Sequence, residues 1–395
     1  MDLASAGSEW LNLLFRWAHI TIGIGWIGAS FYFVWLDLAL RARKKMNQGV
    51  AGTVWMVHGG GCYHVEKYAV APDELPEDLH WFKWEAYLTW VTGIALLILQ
   101  YYLNAKSYLI DPQVLSLEPW QAISISVVSI IAGWAIYDLL CRSPLGRNEA
   151  ALAIVLFVVI VGWAAFFSQV FSARGALIHT GALIGTIMAA NVFMIIIPRQ
   201  KKATNSLMQG ETPDPSHGAI AKQRSVHNNY LTLPVLLMMV TSHYPAFVSH
   251  PLKWALVGLI VIAGASVRHA INCHDAGKGG PQVIGVLIVG FLAVMAAFLL
   301  TAYRPDKGQG EAISDQEALR IVTQRCVTCH SASPTHDAFD EAPAGIKLDT
   351  LEEIVRHASV IDAQAVSGQA MPLGNETGMT DAERRNLGVW LGTRQ

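Results

Sequence analysis

Eight apolar runs occupy most of the first 300 residues of this 395-residue chain, and no other feature limits its fold so strongly. They fall roughly at 10–36, 86–105, 119–140, 149–171, 175–197, 228–243, 252–272 and 281–303. Crossing ~30 Å of hydrocarbon takes about 20 helical residues, and lipid leaves a backbone no partner but itself, so each run reads as a transmembrane helix. The sixth is the shortest and holds Pro234. Hydrophobic residues make up 53% of the chain and charged ones 15%, against about 25% charged in soluble domains. That balance excludes a disordered chain, a nucleic-acid binder and an ordinary cytosolic enzyme. The start, Met1-Asp2-Leu3, lacks the positive stretch of a signal peptide, so the first run is expected to remain as a span.

Lysine and arginine set the expected orientation. Basic clusters follow the first run (Arg41, Arg43, Lys44, Lys45), the third (Arg142, Arg147) and the fifth (Arg199, Lys201, Lys202, Lys222, Arg224). The alternate loops carry little beyond Lys106, Arg174 and Lys253. Positive loops stay in the cytoplasm, which places both termini outside. An even number of spans requires the same.

Near Arg304 the apolar runs stop. The chain divides into a membrane part at 1–303, a linker at 304–312 built on Pro305 to Gly310, and a soluble tail at 313–395. Ser314 with Glu317, Thr350 with Glu353 and Thr380 with Glu383 each form a capping-box pattern, which predicts three helix starts in the tail. Leu387 and Trp390 are expected to pack on Leu319 and Val322. Cys326-Val327-Thr328-Cys329-His330 is a haem-attachment run: two thiols add to the vinyl groups of one porphyrin edge, and the next residue gives iron its imidazole. A zinc site would need two more ligands at short spacing, and a thioredoxin-like site a βαβ context. Met371, before Pro372, is the candidate sixth ligand and Met379 the alternative, while His336 and His357 read as solvated. The tail resembles a class I cytochrome c. The fold class is therefore all-α: a polytopic bundle of about eight transmembrane helices followed by a small helical cytochrome c domain.

Ionisable groups inside a membrane are costly and usually functional. An outer layer holds Arg16, His19, Gln169, Arg174, His179 and His243; an inner one holds Asn191, His227, Asn228, Asn229, Arg268, His269, Asn272, His274 and Asp275. His227 and His243 lie ~24 Å apart along one helix. Interhelical hydrogen bonding is the plain reading of any one histidine. Taken together, His19, His179, His243 and His269 are candidate ligands for haem b, with the pairing open. The first basic loop, from Trp55 to Tyr68, is a surface hairpin of helices or a contribution to a substrate site: its three glycines would let backbone amides approach a ligand, and His58, His64, Glu66 and Lys67 would supply charge. Cys62, Cys141 and Cys273 carry no evident role.

Several longer strings are similar to one family. They are Trp55-Met56-Val57-His58-Gly59-Gly60-Gly61, Glu77-Asp78-Leu79-His80-Trp81-Phe82-Lys83-Trp84-Glu85-Ala86-Tyr87, and His227-Asn228-Asn229-Tyr230-Leu231-Thr232-Leu233-Pro234 running to His243-Tyr244-Pro245. With the haem motif they resemble the membrane-bound urate hydroxylases, or cytochrome c urate oxidases, of bacterial purine breakdown. The resemblance implies oxidation of urate to 5-hydroxyisourate, one covalent haem c on Cys326, Cys329 and His330, and electron delivery to a downstream cytochrome c or terminal oxidase. It also implies a bacterial inner membrane, with the tail in the periplasm. Urate, a flat anion, wants planar donors and a base. The cytoplasm supplies urate, so the expected site is the inner layer: Arg268, Asn228, Asn229 and His58 as binders, and His227 or His64 as base. An inner site lies a bilayer away from the tail, which is the argument for haem b between the layers. Two other classes stand against the enzyme: an anchored haem c carrier without an organic substrate, and a transporter with a cytochrome passenger.

Overall fold

The computed structural model describes residues 3–394 apart from 70–75, 77, 249, 303–309, 338 and 369. Glu77 and most of the expected linker, 304–309, lie outside the described residues. The membrane part runs α1 (Leu3–Ala39), β1 (Val50–His58), β2 (Gly61–Tyr68), α2 (Trp84–Leu97), α3 (Pro119–Arg142), α4 (Glu149–Val170), α5 (Ala173–Ala190), α6 (Ile197–Met208), α7 (Pro215–Thr241), α8 (Pro245–Val248), α9 (Lys253–Asp275) and α10 (Gly280–Ala302). Among the described residues, six helices are long and apolar enough to cross a membrane: Ala6–Ala39, α3, α4, Ala173–Met208, α9 and α10. The other two of the eight expected spans are helical but do not meet that standard. α2 has only 14 residues before a π-turn at Ile98–Tyr102. α7 is long, but its apolar character is diluted by Arg224, His227, Asn228 and Asn229.

Packing follows the small residues. α10 presents Ile288, Phe291, Leu292 and Phe298 outward and buries Gly290, Ala293 and Ala297. A Cβ at Gly290 would come within 3.1 Å of Ser266 on α9, so the two backbones approach closely, as helices do in lipid. α7 meets α9 the same way: a Cβ at Gly264 would stand 2.8 Å from the ring of Pro234, the proline inside α7. The missing methyl leaves room for the ring. Between α5 and α6 the helix widens into a π-turn at Asn191–Ile196, and Asn191 is fully buried there.

The loop after α1 corrects the all-α expectation. It is a two-stranded antiparallel hairpin, with Trp55 opposite His64 and His58 opposite Gly61. Gly59 and Gly60 adopt φ of 57° and 81°, the left-handed pair that a tight two-residue turn demands. The glycines thus serve the turn. The hairpin sits at the end of α1, where Arg41 pairs with Thr53 and its guanidinium lies near Gly277 after α9.

The tail forms α11 (Asp315–Arg325), α12 (Leu351–Arg356), α13 (Ala358–Ile361) and α14 (Asp381–Gly392). All three expected caps form: the side chains of Ser314, Thr350 and Thr380 accept from the amides of Glu317, Glu353 and Glu383. Leu387 and Trp390 bury against Val322 and Leu319 as expected, and Trp390 Nε1 donates to Asp315 at 2.9 Å. Burial pushes the Glu383 carboxyl up, but hydrogen bonds from Thr380 and Arg325 outweigh it and leave the group below its ordinary value. A lowered carboxyl stabilises the fold above the unfolded pKa of about 4.3 and loses that contribution as pH falls through the folded value.

Two stability outcomes follow. Gly264→Val should lower the midpoint of thermal unfolding in detergent, at a cost of about 1–3 kcal/mol from overpacking. Gly285→Ala, whose Cβ would meet nothing within 4 Å, should not. Thr380→Ala should cost about 1 kcal/mol in denaturant unfolding of the tail in the intact chain. Glu383→Gln should blunt the tail's loss of stability below about pH 4.

Candidate functional site

In the tail, α11 closes on Cys326, whose amide donates to Val322, and the amides of Cys329 and His330 both donate back to the Cys326 carbonyl. This tight turn brings two thiols and an imidazole to one edge of the tail core. His330 Nδ1 donates to the Ile346 carbonyl at 3.0 Å, which fixes the tautomer and leaves Nε2 as the coordinating nitrogen. Both cysteines are free thiols; burial pushes Cys326 up to about 12 and raises Cys329 as well. A reactive dithiol needs the opposite shift. Met371 is half-buried, with its amide on Gln364 at 2.9 Å and its carbonyl receiving Arg384 at 2.6 Å. Met379 is fully buried in the apolar core. Cys326, Cys329, His330 and a methionine of this core, Met371 or Met379, are the donor set that a covalently held haem would use. His336 bonds Glu376 at 3.1 Å and His357 ends α12.

In the membrane part, α7 separates two polar groups. Toward α3 and α5, Asp138 receives Arg224 at 2.8 Å and Arg142 at 2.6 Å. His227 Nδ1 shares a hydrogen bond of 2.8 Å with the Tyr137 hydroxyl, which also accepts from Asn191. Asn191 donates to Asn228, and Asn228 to the Met188 carbonyl. Toward α9, Arg268 Nε donates to Asn229, and Tyr230 shares a 2.5 Å hydrogen bond with His269 Nδ1. The Arg268 guanidinium lies 3.7 Å over the Phe31 ring of α1.

Both sides hold a fully buried arginine with unpartnered nitrogens, Nε and Nη1 on Arg224, Nη1 and Nη2 on Arg268. Their charge balance differs. Arg224 is ion-paired with Asp138, which it shares with Arg142, whereas Arg268 has no carboxylate within ion-pairing distance among the described residues and feels Asp275 only at longer range. Four residues along α9, the Asn272 side-chain oxygen is also buried without a partner. A buried guanidinium with two free planar donors, and a free acceptor beside it, suit a small planar anion.

The structure parts residues that the sequence reading grouped. Asn229 and Arg268 are bonded, but His227 and Asn228 turn to the other side of α7. His58 and His64 sit on the hairpin, His58 at its exposed turn and His64 stacked on Trp55 at 4.4 Å, and their contacts are within the hairpin. The sequence reading took His269 as a haem ligand and gave Phe31 and Tyr230 no role, whereas the structure sets all three beside Arg268 or its neighbours. The haem b candidates differ in what they leave free: His19 is held through Nδ1 alone, which leaves its Nε2 open. His179 spends both ring nitrogens, on the Gly175 carbonyl and Ser126 at 2.7 Å each. His19 bonds Thr89 and Thr92 of α2, His269 bonds Tyr230 and Cys273, and His243 is exposed beyond α7.

No curated protein and no solved structure matches the chain. A family model described as urate oxidase N-terminal matches residues 5–300, the whole of the helical bundle and its hairpin, with the tail beyond it. Three quarters of the sequence is thus covered, and the chain belongs to the urate oxidase N-terminal family.

Proposed function

We propose that the chain oxidises urate to 5-hydroxyisourate at the α7–α9 seam and passes the electrons to a haem c held by its tail. The observation that carries this reading is Arg268: a buried guanidinium with both terminal nitrogens free and no ion-paired carboxylate among the described residues, inside a segment of urate oxidase family. Urate is a planar monoanion near neutral pH, with adjacent carbonyl and N–H groups. Arg268 supplies a charged donor fork to its oxygens, and Asn272 an acceptor to an N–H. Asn229 holds the guanidinium in place through Nε.

The chemistry balances with water as the oxygen source. The urate anion loses two electrons and one proton, and water then adds at C5 to give 5-hydroxyisourate. His269, oriented by Tyr230, is the base we assign, because it lies on the Arg268 side of α7; His227, on the far side, is left to the Tyr137–Asn191 network. Cys326, Cys329, His330 and Met371 hold the haem, which supplies one-electron acceptor chemistry when bound. In this reading the hairpin end of the bundle faces the cytoplasm and the tail the periplasm of a bacterial inner membrane, an orientation the basic loops support, with a cytochrome c or terminal oxidase as the onward acceptor.

Anaerobic mixing of the purified full chain with urate should reduce its haem; a haem that stays ferric would reduce the protein to an anchored electron carrier. Arg268→Ala should cut urate-dependent turnover on the order of 100-fold or more, the worth of a charge-assisted hydrogen-bond pair. Arg268→Lys should recover little, since it keeps the charge and loses the planar fork. Both should retain the haem c spectrum. Arg224→Lys and Arg174→Ala should turn over urate normally; a dead Arg174→Ala beside an active Arg268→Ala would move the site to the other end of the bundle.

A further inference from the structure

The tail is seated on the bundle by the loop that bears Met371. Its turn Leu373–Asn375 rests on the segment between α2 and α3, where a Cβ at Gly374 would stand 2.6 Å from the Ser107 carbonyl oxygen, 2.9 Å from that of Ile110 and 3.0 Å from that of Lys106. Three rigid backbone acceptors leave space for glycine alone. Side chains close the seat around it: Ser107 donates to Glu376 at 2.9 Å and Gln113 to the Met379 carbonyl at 2.9 Å. From within the tail, Arg384 braces the same loop through the carbonyls of Ala365 and Met371 and the Asn375 side chain.

Behind the seat the bundle holds an unbroken run of rings. Tyr108 lies 6.1 Å from Tyr101, Tyr101 6.1 Å from His179, His179 4.5 Å from Phe171, Phe171 5.7 Å from Phe167, and Phe167 5.6 Å from Trp163, centroid to centroid. Ser172 ties this run to the seat by donating to the Tyr108 carbonyl at 2.6 Å.

We infer that this seat is the electron crossing from bundle to tail: the Met371 loop is the docking face for the chain's own bundle, and a diffusing acceptor must use another face of the tail. The inference rests on the proposed function. Tunnelling falls off exponentially with separation, so a contact set by backbone atoms and fitted with a glycine fixes the gap where it governs the rate. Each urate would send two electrons across, one at a time, and the single haem held by the tail would pass the first to the onward one-electron acceptor before taking the second.

Two variants of the full chain open the seat from opposite sides, Gly374→Val from the tail and Ser107→Trp from the bundle. Gly378→Ala is the control. It has the same left-handed backbone, φ of 66°, but a Cβ there would meet only Arg325 at 3.8 Å. Both seat variants should speed amide hydrogen exchange at residues 105–110 and slow urate-driven haem reduction by about tenfold or more, the scale of a small misplacement of reacting groups. Reduction by dithionite and the methionine-to-iron charge-transfer band should stay unchanged in Ser107→Trp, and Gly378→Ala should match the unmodified chain throughout. Faster exchange at the seat with an unchanged urate-driven rate overturns the inference. A parent chain whose haem urate does not reduce overturns the proposed function instead.

Discussion

Inside a bilayer a polar side chain can bond only to protein, and much of the polar interior of this bundle is arranged by that constraint. The Asp138 carboxylate is shared between Arg142 and Arg224, the Tyr137 hydroxyl between His227 and Asn191, and His179 uses both of its nitrogens. Arg224 and Arg268 both keep free nitrogens, but only at Arg268 are both terminal nitrogens free, with the free oxygen of Asn272 one turn along the same helix. Burying an uncompensated charge is expensive, and it is tolerable where an anionic ligand completes the pair. The substrate reading follows from this accounting of partners and charge, with the family placing it among urate oxidases.

α7 organises the interior because it is polar on two sides. A helix lined in this way is enclosed by α3, α5 and α9, with the Asp138 ion pairs and the Tyr137–Asn191 network on one side and Arg268 on the other. The close fit of Pro234 into Gly264 pins the α7–α9 seam just beyond the Asn229–Arg268 and Tyr230–His269 pairs. Packing and site geometry are therefore coupled through a single missing methyl group.

Much of this was legible in the sequence, and what was not has physical reasons. Long apolar runs, capping residues and Cys326 to His330 each carry a local signature, and local signatures survive folding. The hairpin was missed although its strands are rich in valine and aromatic residues around a glycine pair, a strand signal that the surrounding helical pattern obscured. Grouping His227 with Arg268 overlooked helical phase: residues 227 and 229 differ by about 200° around the axis, so one cannot share the other's neighbour. Phe31 carries no signal at all, being one apolar residue among many on α1. The histidines suggested ligands because their number was visible and their hydrogen-bond partners, Ser126, Thr89 and Tyr230, were not.

The π-turn at Asn191–Ile196 has a further meaning for the lineage of this fold. It holds one residue more than a regular helix needs, so it acts as a phase shifter between two stretches of the same rod. Upstream, the rod's angular setting is locked by His179 and its partners; downstream, it carries Arg199, Lys201 and Lys202 toward the basic end of the bundle. Removing one residue there would rotate everything after it by about 100° relative to everything before. Insertions and deletions that a loop would absorb silently are thus read here as rotations, and homologues sharing this interior should conserve the length of this stretch more strictly than its composition.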